Sequence, residues 1–244
     1  IKALRESKRH SSWIAPNAAY EASCQKFLDG ILSSEGNAFV AELSDFVASI
    51  AAAAALSGLT QTFLRLTTPG VPDLYQGCEL WDFSLVDPDN RRSIDYLCRA
   101  QSLEQKIAPA NVIADWRTGA VKQRLIATIL NHRAQSPQIY SDGDYVPLTA
   151  SGTRAAHVVA FERRVGGARL VCVASRWPQS LAGPLTLPLI ESNRWEDTAL
   201  SVEPGKFVDV LADGPPVTLN GTASIAELLR RFPVALLFAR SENG

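Results

Sequence analysis

At 244 residues, 46% of them hydrophobic, the chain is long enough to bury a sizeable core, and its length allows two structural units. Its 24 basic and 25 acidic residues leave a formal net charge of −1, which excludes the broad positive field that nucleic acid requires and fits a neutral ligand. Cys24, Cys78, Cys98 and Cys172 stand far apart, as do His10, His132 and His157, so no metal site, cofactor or disulfide framework is expected.

In chain order, residues 1–37 read as helices joined by polar turns, with breaks at 12–17 and 33–37. Lys2, Arg5, Lys8 and Arg9 share parts of one helical surface, a basic patch suited to docking on acids elsewhere. From Phe39 the apolar positions Val40, Leu43, Phe46, Val47, Ile50 and Ala54 recur at helical spacing. The alanines at 51–55 lie in an apolar stretch interrupted by Ser49, Ser57, Thr60, Gln61 and Arg65, a pattern of a buried helix rather than a membrane span. A break is expected at Ser57-Gly58, then a second helix over 59–66.

Pro69-Gly70 stops that helix, residues 71–75 read as a short strand, and Gly77 permits a sharp turn. The following loop, 79–96, crowds Glu79, Trp81, Asp82, Asp87, Asp89, Asn90, Arg91, Arg92 and Tyr96 together, a density of polar and flat groups expected of a small-molecule site. Ser93 is placed to cap a helix running to about residue 107, and 121–134 forms another, with His132 at its C-terminal end as a favourable cation. Beyond 142 the pattern turns to short β-rich runs at 157–163, 169–174, 185–189, 198–202, 207–211 and 234–240, with a short helix expected over 224–231.

The segment from Thr67 to Asp82, with Asp87-Pro88-Asp89-Asn90-Arg91-Arg92, resembles the eighth strand and following loop of the α-amylase superfamily of (β/α)8 barrels. The opening Lys2-Ala3-Leu4-Arg5-Glu6-Ser7-Lys8-Arg9-His10-Ser11-Ser12-Trp13, with Pro16-Asn17 and Tyr20-Glu21, narrows the resemblance to the malto-oligosyltrehalose synthase family. The resemblance implies an α+β multidomain fragment: the mainly helical last part of a (β/α)8 barrel, then a C-terminal antiparallel β-sandwich. The implied domains are a helical insertion at 1–37, the end of the barrel at 38–148 and the sandwich at 149–244.

By the same resemblance, the catalytic carboxylates lie on earlier barrel strands, outside this chain. The whole enzyme would move the reducing-end glucose of a maltodextrin from an α-1,4 to an α,α-1,1 linkage by intramolecular transglucosylation, an isomerase reaction. The fragment alone is expected to be inactive. Its implied sugar-binding residues are Asp87, Asn90, Arg91, Arg92, Glu79 and Trp81 of the loop, with His10 and Trp13 of the first break. Carboxylates and guanidinium groups bond sugar hydroxyls in pairs, and flat rings suit the apolar face of a pyranose. Competing structural roles are a loop stapled by its arginine pair, Trp13 and Tyr20 as anchors, and Tyr75 as a core residue. The expected partners are maltodextrin and the missing N-terminal barrel portion, with no nucleic acid or membrane, self-association of the severed barrel, and a cytoplasmic location.

Two alternatives use the same residues. One is another α-glucan hydrolase or glucosyltransferase of the superfamily. The other is a non-catalytic glucan-binding module, for which Trp177 and Trp195 would be the exposed aromatics.

Overall fold

In a computed structural model, residues 1–32, 38–84, 93–104 and 106–240 are described. The chain divides into two compact units, Ile1–Ser49 with Asp82–Asp95, and Ile50–Trp81 with Tyr96–Gly244.

The first unit contains α1 (Lys2–Ser7), α2 (Ala18–Leu32) and the N-terminal turns of α3 (Ala38–Thr67). Asn17 caps α2, its Oδ1 accepting from the Tyr20 N–H at 3.1 Å. Among the described residues of this unit only Ser11 and Glu21 are buried, and neither is apolar. Phe27, Leu28 and Leu32 on α2, and Phe39, Leu43, Phe46 and Val47 on α3, are all exposed. The helical spacing read from the sequence is present, but the apolar positions have no core of their own to face.

In the second unit α3 becomes a core element: Ala52, Ala53, Ala55, Leu56, Leu59, Phe63 and Leu66 are buried. The break expected at Ser57-Gly58 does not occur. Ser57 Oγ bonds back to the Ala53 carbonyl at 3.0 Å within an uninterrupted helix. A mid-helix glycine costs only about 1 kcal/mol relative to alanine, less than burial of the flanking leucines returns. By length and composition alone α3 could cross a membrane, with a mean hydropathy of 1.7 over its most apolar 18 residues. Of that window 22% is buried, while the second half of the helix, from Ala52 on, lies in the protein interior. That half ends against two arginines, with Arg133 Nη1 donating to Leu66 O at 2.8 Å and Arg163 Nη1 to Thr67 O at 3.4 Å. Cations there complement the negative end of the helix dipole.

The strand expected over 71–75 is absent: the segment pairs with no strand among the described residues, and Tyr75, expected in the core, is 62% exposed. A lone extended segment has no ladder to complete. Next come α4 (Tyr96–Glu104), a 3-10 stretch at Pro109–Thr118, α5 (Ala120–Gln135) and α6 (Pro137–Ser141).

The remainder is antiparallel. A six-stranded sheet runs in the order β1 (Asp144–Pro147), β3 (Val158–Val165), β4 (Ala168–Ser175), β9 (Val234–Ala239), β6 (Gly205–Asp209), β7 (Val217–Leu219). A three-stranded sheet runs β2 (Ala150–Ser151), β5 (Ala199–Ser201), β8 (Thr222–Ser224). Strict alternation buries both faces of the larger sheet. Leu170, Cys172 and Ala174 of β4, with Val234 and Leu236 of β9, join a core with α3 and α5. Val171, Val173, Ala235 and Leu237 point the other way, into a core with Leu200 of β5 and Ala223 of β8.

Two short helices, α7 (Pro178–Ala182) and α8 (Ile225–Leu228), lie in the connections, the second where a helix was expected. The β-run expected at 185–189 is not a strand, for Pro184 and Pro188 flank and interrupt it and lack the N–H a ladder needs. Trp195 is fully buried, whereas Trp177 is 58% exposed, so the two do not form an aromatic platform.

Candidate functional site

Asp87, Asn90, Arg91 and Arg92 lie outside the described residues. The other sequence-derived candidates fall into two places, one in each unit, and each place is built by a different device.

In the first unit the turn between α1 and α2 is tied down by Glu21. Arg5 donates to it through Nε and Nη2, both at 2.8 Å, and Ser11 Oγ donates to Oε1. The paired fork and the hydroxyl together hold the Glu21 carboxyl well below the usual range, at about 2, so it is an ionised anchor rather than a proton donor. Arg5, read as part of a basic docking face, is therefore engaged locally.

Ser11 also accepts from the Asn17 N–H at 3.0 Å, and Ser12 Oγ from the Ala15 N–H at 3.0 Å, which closes the turn. The turn carries Trp13 outward, 49% exposed. Its Nε1 donates to Glu6 Oε1 at 2.7 Å, and the Arg5 guanidinium lies 5.2 Å from the ring centroid. His10 is exposed and packs on Tyr20, ring centroids 5.1 Å apart. Trp13 and His10 thus stand on a braced turn with ring surface open. Sequence reasoning did not single out Glu21 as the brace, because its partner Arg5 is 16 residues away and no local spacing reports the pair.

In the second unit the extended segment turns at Gly77, whose φ of 86° suits glycine. Glu79 spans this turn. Its Oε1 accepts from the Gly77 N–H at 3.2 Å and its Oε2 from Arg99 Nε at 2.9 Å, while Arg99 Nη2 reaches Gly77 O at 3.1 Å. Tyr96 OH adds a bond to Gln76 Oε1 at 3.1 Å. Glu79 is thereby a structural staple between the turn and α4.

Trp81 is half-buried, and its Nε1 donates to Trp116 O at 2.6 Å. Lys122 Nζ donates to Leu80 O at 3.0 Å and lies 5.9 Å from the Trp81 ring centroid. Gly119 makes this approach possible: at φ 80° a Cβ there would sit 2.8 Å from the Trp81 backbone nitrogen. The polar edge of Trp81 is used internally, so only its ring face remains for a ligand. Among the described residues no cluster of three metal-ligating side chains occurs.

His132 differs from its expected role. It is 8% exposed, and its Nδ1 pairs with Tyr140 OH at 2.7 Å. Burial, with the Arg240 charge adding to it, pushes its pKa down to about 4, so it is neutral at pH 7 rather than a cation at the end of α5. Desolvation outweighs the helix dipole here.

A scan against models of known protein families finds none that matches this chain. Among curated proteins, one from Mycobacterium tuberculosis named as a maltooligosyl trehalose synthase is 36% identical over 236 residues, 97% of this chain but 27% of its own length. Maltooligosyltrehalose synthase from Arthrobacter ramosus superposes with a TM-score of 0.76 at 34% identity, over 97% of this chain and 29% of its own. A further solved maltooligosyl trehalose synthase, 21% identical, shares the fold at a TM-score of 0.62. The chain spans somewhat over a quarter of the length of these relatives. Along nearly its entire length the chain is therefore homologous to a segment of the maltooligosyl trehalose synthases, as the two motifs of its sequence implied.

Proposed function

We propose that this chain is the C-terminal portion of a maltooligosyl trehalose synthase, an isomerase whose complete form converts the reducing-end α-1,4 linkage of a maltodextrin into an α,α-1,1 linkage. The observation that carries the reading is identity of 34–36% sustained over 97% of the chain. The reaction is a transfer within one substrate. It needs a carboxylate nucleophile and an acid roughly 5–5.5 Å apart, and a pocket that retains the released glucose while excluding water.

This chain's share is the wall of that pocket. The braced turn at Trp13 offers a ring to the sugar face, and Asp87, Asn90, Arg91 and Arg92, which lie outside the described residues, are the side chains from which the family resemblance implies paired hydrogen bonds to hydroxyls. Glu79 is occupied by Arg99 and Gly77, which supports placing the catalytic carboxylates elsewhere in the polypeptide. The first unit supports a longer polypeptide in a second way. Among its described residues the apolar helix faces are exposed and no apolar side chain is buried, a surface that the remaining barrel would cover.

The test is to incubate the chain with maltopentaose, alone and with the separately produced remainder of its polypeptide, and to assay non-reducing product. Product in the mixture only is expected. Turnover by the chain alone would place the carboxylates within it, and a stable but inactive complex would overturn the synthase reading.

A further inference from the structure

One aromatic ring of the second unit is held in a strained conformation although it is not buried. Trp177 takes φ 54° and ψ 52°, a left-handed conformation that a bulky residue adopts only under constraint, and it is 58% exposed. The constraint comes from both sides. Arg176 N–H donates to His157 O at 2.9 Å and Arg176 Nε to Ala156 O at 2.7 Å, while Leu181 N–H and Ser180 Oγ donate to Trp177 O at 3.2 and 2.9 Å. Pro178 then opens α7. Backbone strain of this kind, not offset by burial of the side chain, points to a ligand contact.

The ring is also aimed. The Arg176 guanidinium lies 4.0 Å from the ring centroid, and the His157 ring stands edge-on to it at 6.2 Å. Neither residue lines the groove of about 390 Å3 that Trp177 shares with Ala53, Ala54 and Ser57 of α3 and with Gln179 and Ser180. Both therefore back the ring from outside the groove and leave its remaining surface to face into it. Sites for small molecules commonly enclose roughly 300–1,000 Å3.

The lining selects the chemistry. Among the described residues no charged side chain lines the groove, so an ion would find no counter-charge there. Trp177 Nε1 has no hydrogen-bond partner among the described residues and can donate. Ser57 Oγ and Ser180 Oγ give their protons to backbone carbonyls and keep lone pairs, and the exposed Gln179 offers both a donor and an acceptor. A purely aliphatic ligand would leave these groups unpaired. A pyranose lays its C–H face on an indole and turns hydroxyls to the donors and acceptors at the rim. We infer that the groove between α7 and the middle of α3 is a binding site for a neutral oligosaccharide, with Trp177 as its stacking platform and Gln179 as its hydrogen-bonding partner. That the oligosaccharide is an α-1,4-glucan rests on the synthase reading.

The experiment is a titration of the 244-residue chain with maltopentaose, alone and in the mixture with the remainder of its polypeptide. It is followed by NMR at the Trp177 indole N–H and the Gln179 and Ser180 amides. Saturable movement of all three, with equal affinity in both samples, is expected. Gln179→Ala should weaken binding about threefold, and Trp177→Asn, read at the amides, about tenfold or more. Asparagine accepts the left-handed conformation, so with circular dichroism unchanged the loss reports the ring alone. Still resonances, unchanged affinity in Trp177→Asn, or a response to sugar that the remainder of the polypeptide abolishes by occupying the groove would overturn the inference. Formation of non-reducing product in the mixture reports separately. A groove that fills without that activity stands while the synthase reading falls, and activity with still Trp177 resonances removes the groove alone.

Discussion

Arg99 and Glu79 meet at 2.9 Å across the turn that follows α3, with the Arg99 fork also holding the Gly77 carbonyl at 3.1 Å. Both side chains are more than two-thirds buried, so the pair is partly shielded from solvent. One arginine thus fixes the turn to α4.

Arg99→Ala should loosen this turn and leave Glu79 facing the Gly77 N–H alone. A loss of about 1–3 kcal/mol in urea unfolding is expected, with faster proteolysis in 75–81. Arg99→Lys should recover only part of it, because one ammonium does not reproduce the fork. Unchanged unfolding midpoints for both variants would refute the staple.

Gly119→Ala tests the close approach of Trp81. The added Cβ meets backbone at 2.8 Å in a left-handed conformation, so a loss of about 2–4 kcal/mol is expected by thermal unfolding. Gly221→Ala is the control. Its φ is 88° but the space beside it is open, so strain alone remains, at about 1 kcal/mol. Equal effects at the two sites would show that the Trp81 contact is not the constraint.

His132 and Asp209 give opposed pH dependences. His132 titrates near 4 when folded against an ordinary 6.5, so the unfolded chain binds more protons between those values and stability falls as pH drops through them. Asp209 titrates near 6 against an ordinary 3.8, so the folded chain binds more protons there and stability falls as pH rises from about 4 to 6. Between pH 4 and 6 the two contributions oppose each other in the parent chain. Asp209→Asn should expose a stability that climbs with pH across this window, and His132→Gln one that declines. Chemical denaturation at several pH values decides it, and parallel profiles would refute both assignments.

Glu21→Gln addresses the first unit. With no buried apolar side chain among its described residues, this unit leans on the Arg5–Glu21–Ser11 cluster for the geometry of the Trp13 turn. Amide exchange over 1–17 should accelerate markedly in the variant while exchange in the sheets stays unchanged. Protection retained over 1–17 would show that the cluster is dispensable.

These sites also show what was legible in the sequence. Helical spacing located α3 and α5, and β-rich runs located β3, β4, β6 and β9, because each buries a face with a period the residues record. The two contiguous motifs pointed to the relatives that the chain matches. What stayed hidden was decided by distant partners. Arg5 with Glu21, Arg99 with Glu79 and His132 in its buried setting have no local signature, and β7 and β8, three residues each, are too short to carry a period. The strand expected at 71–75 failed for a related reason, since a ladder is a property of two segments and the local pattern describes one.

The arginines that finish α3 carry a consequence for synthesis. Arg163 bonds the Thr67 carbonyl from 96 residues further along the chain, and Arg133 bonds that of Leu66 from 67 residues further. At a translation rate of roughly 5–20 residues per second, the helix end waits roughly 5–20 s for its last cation to be made. Throughout that interval a long apolar helix exists without its covering strands. The nascent chain is thus obliged to keep this segment from wrong partners until β3 has left the ribosome, which makes α3 the place where a chaperone would find its grip.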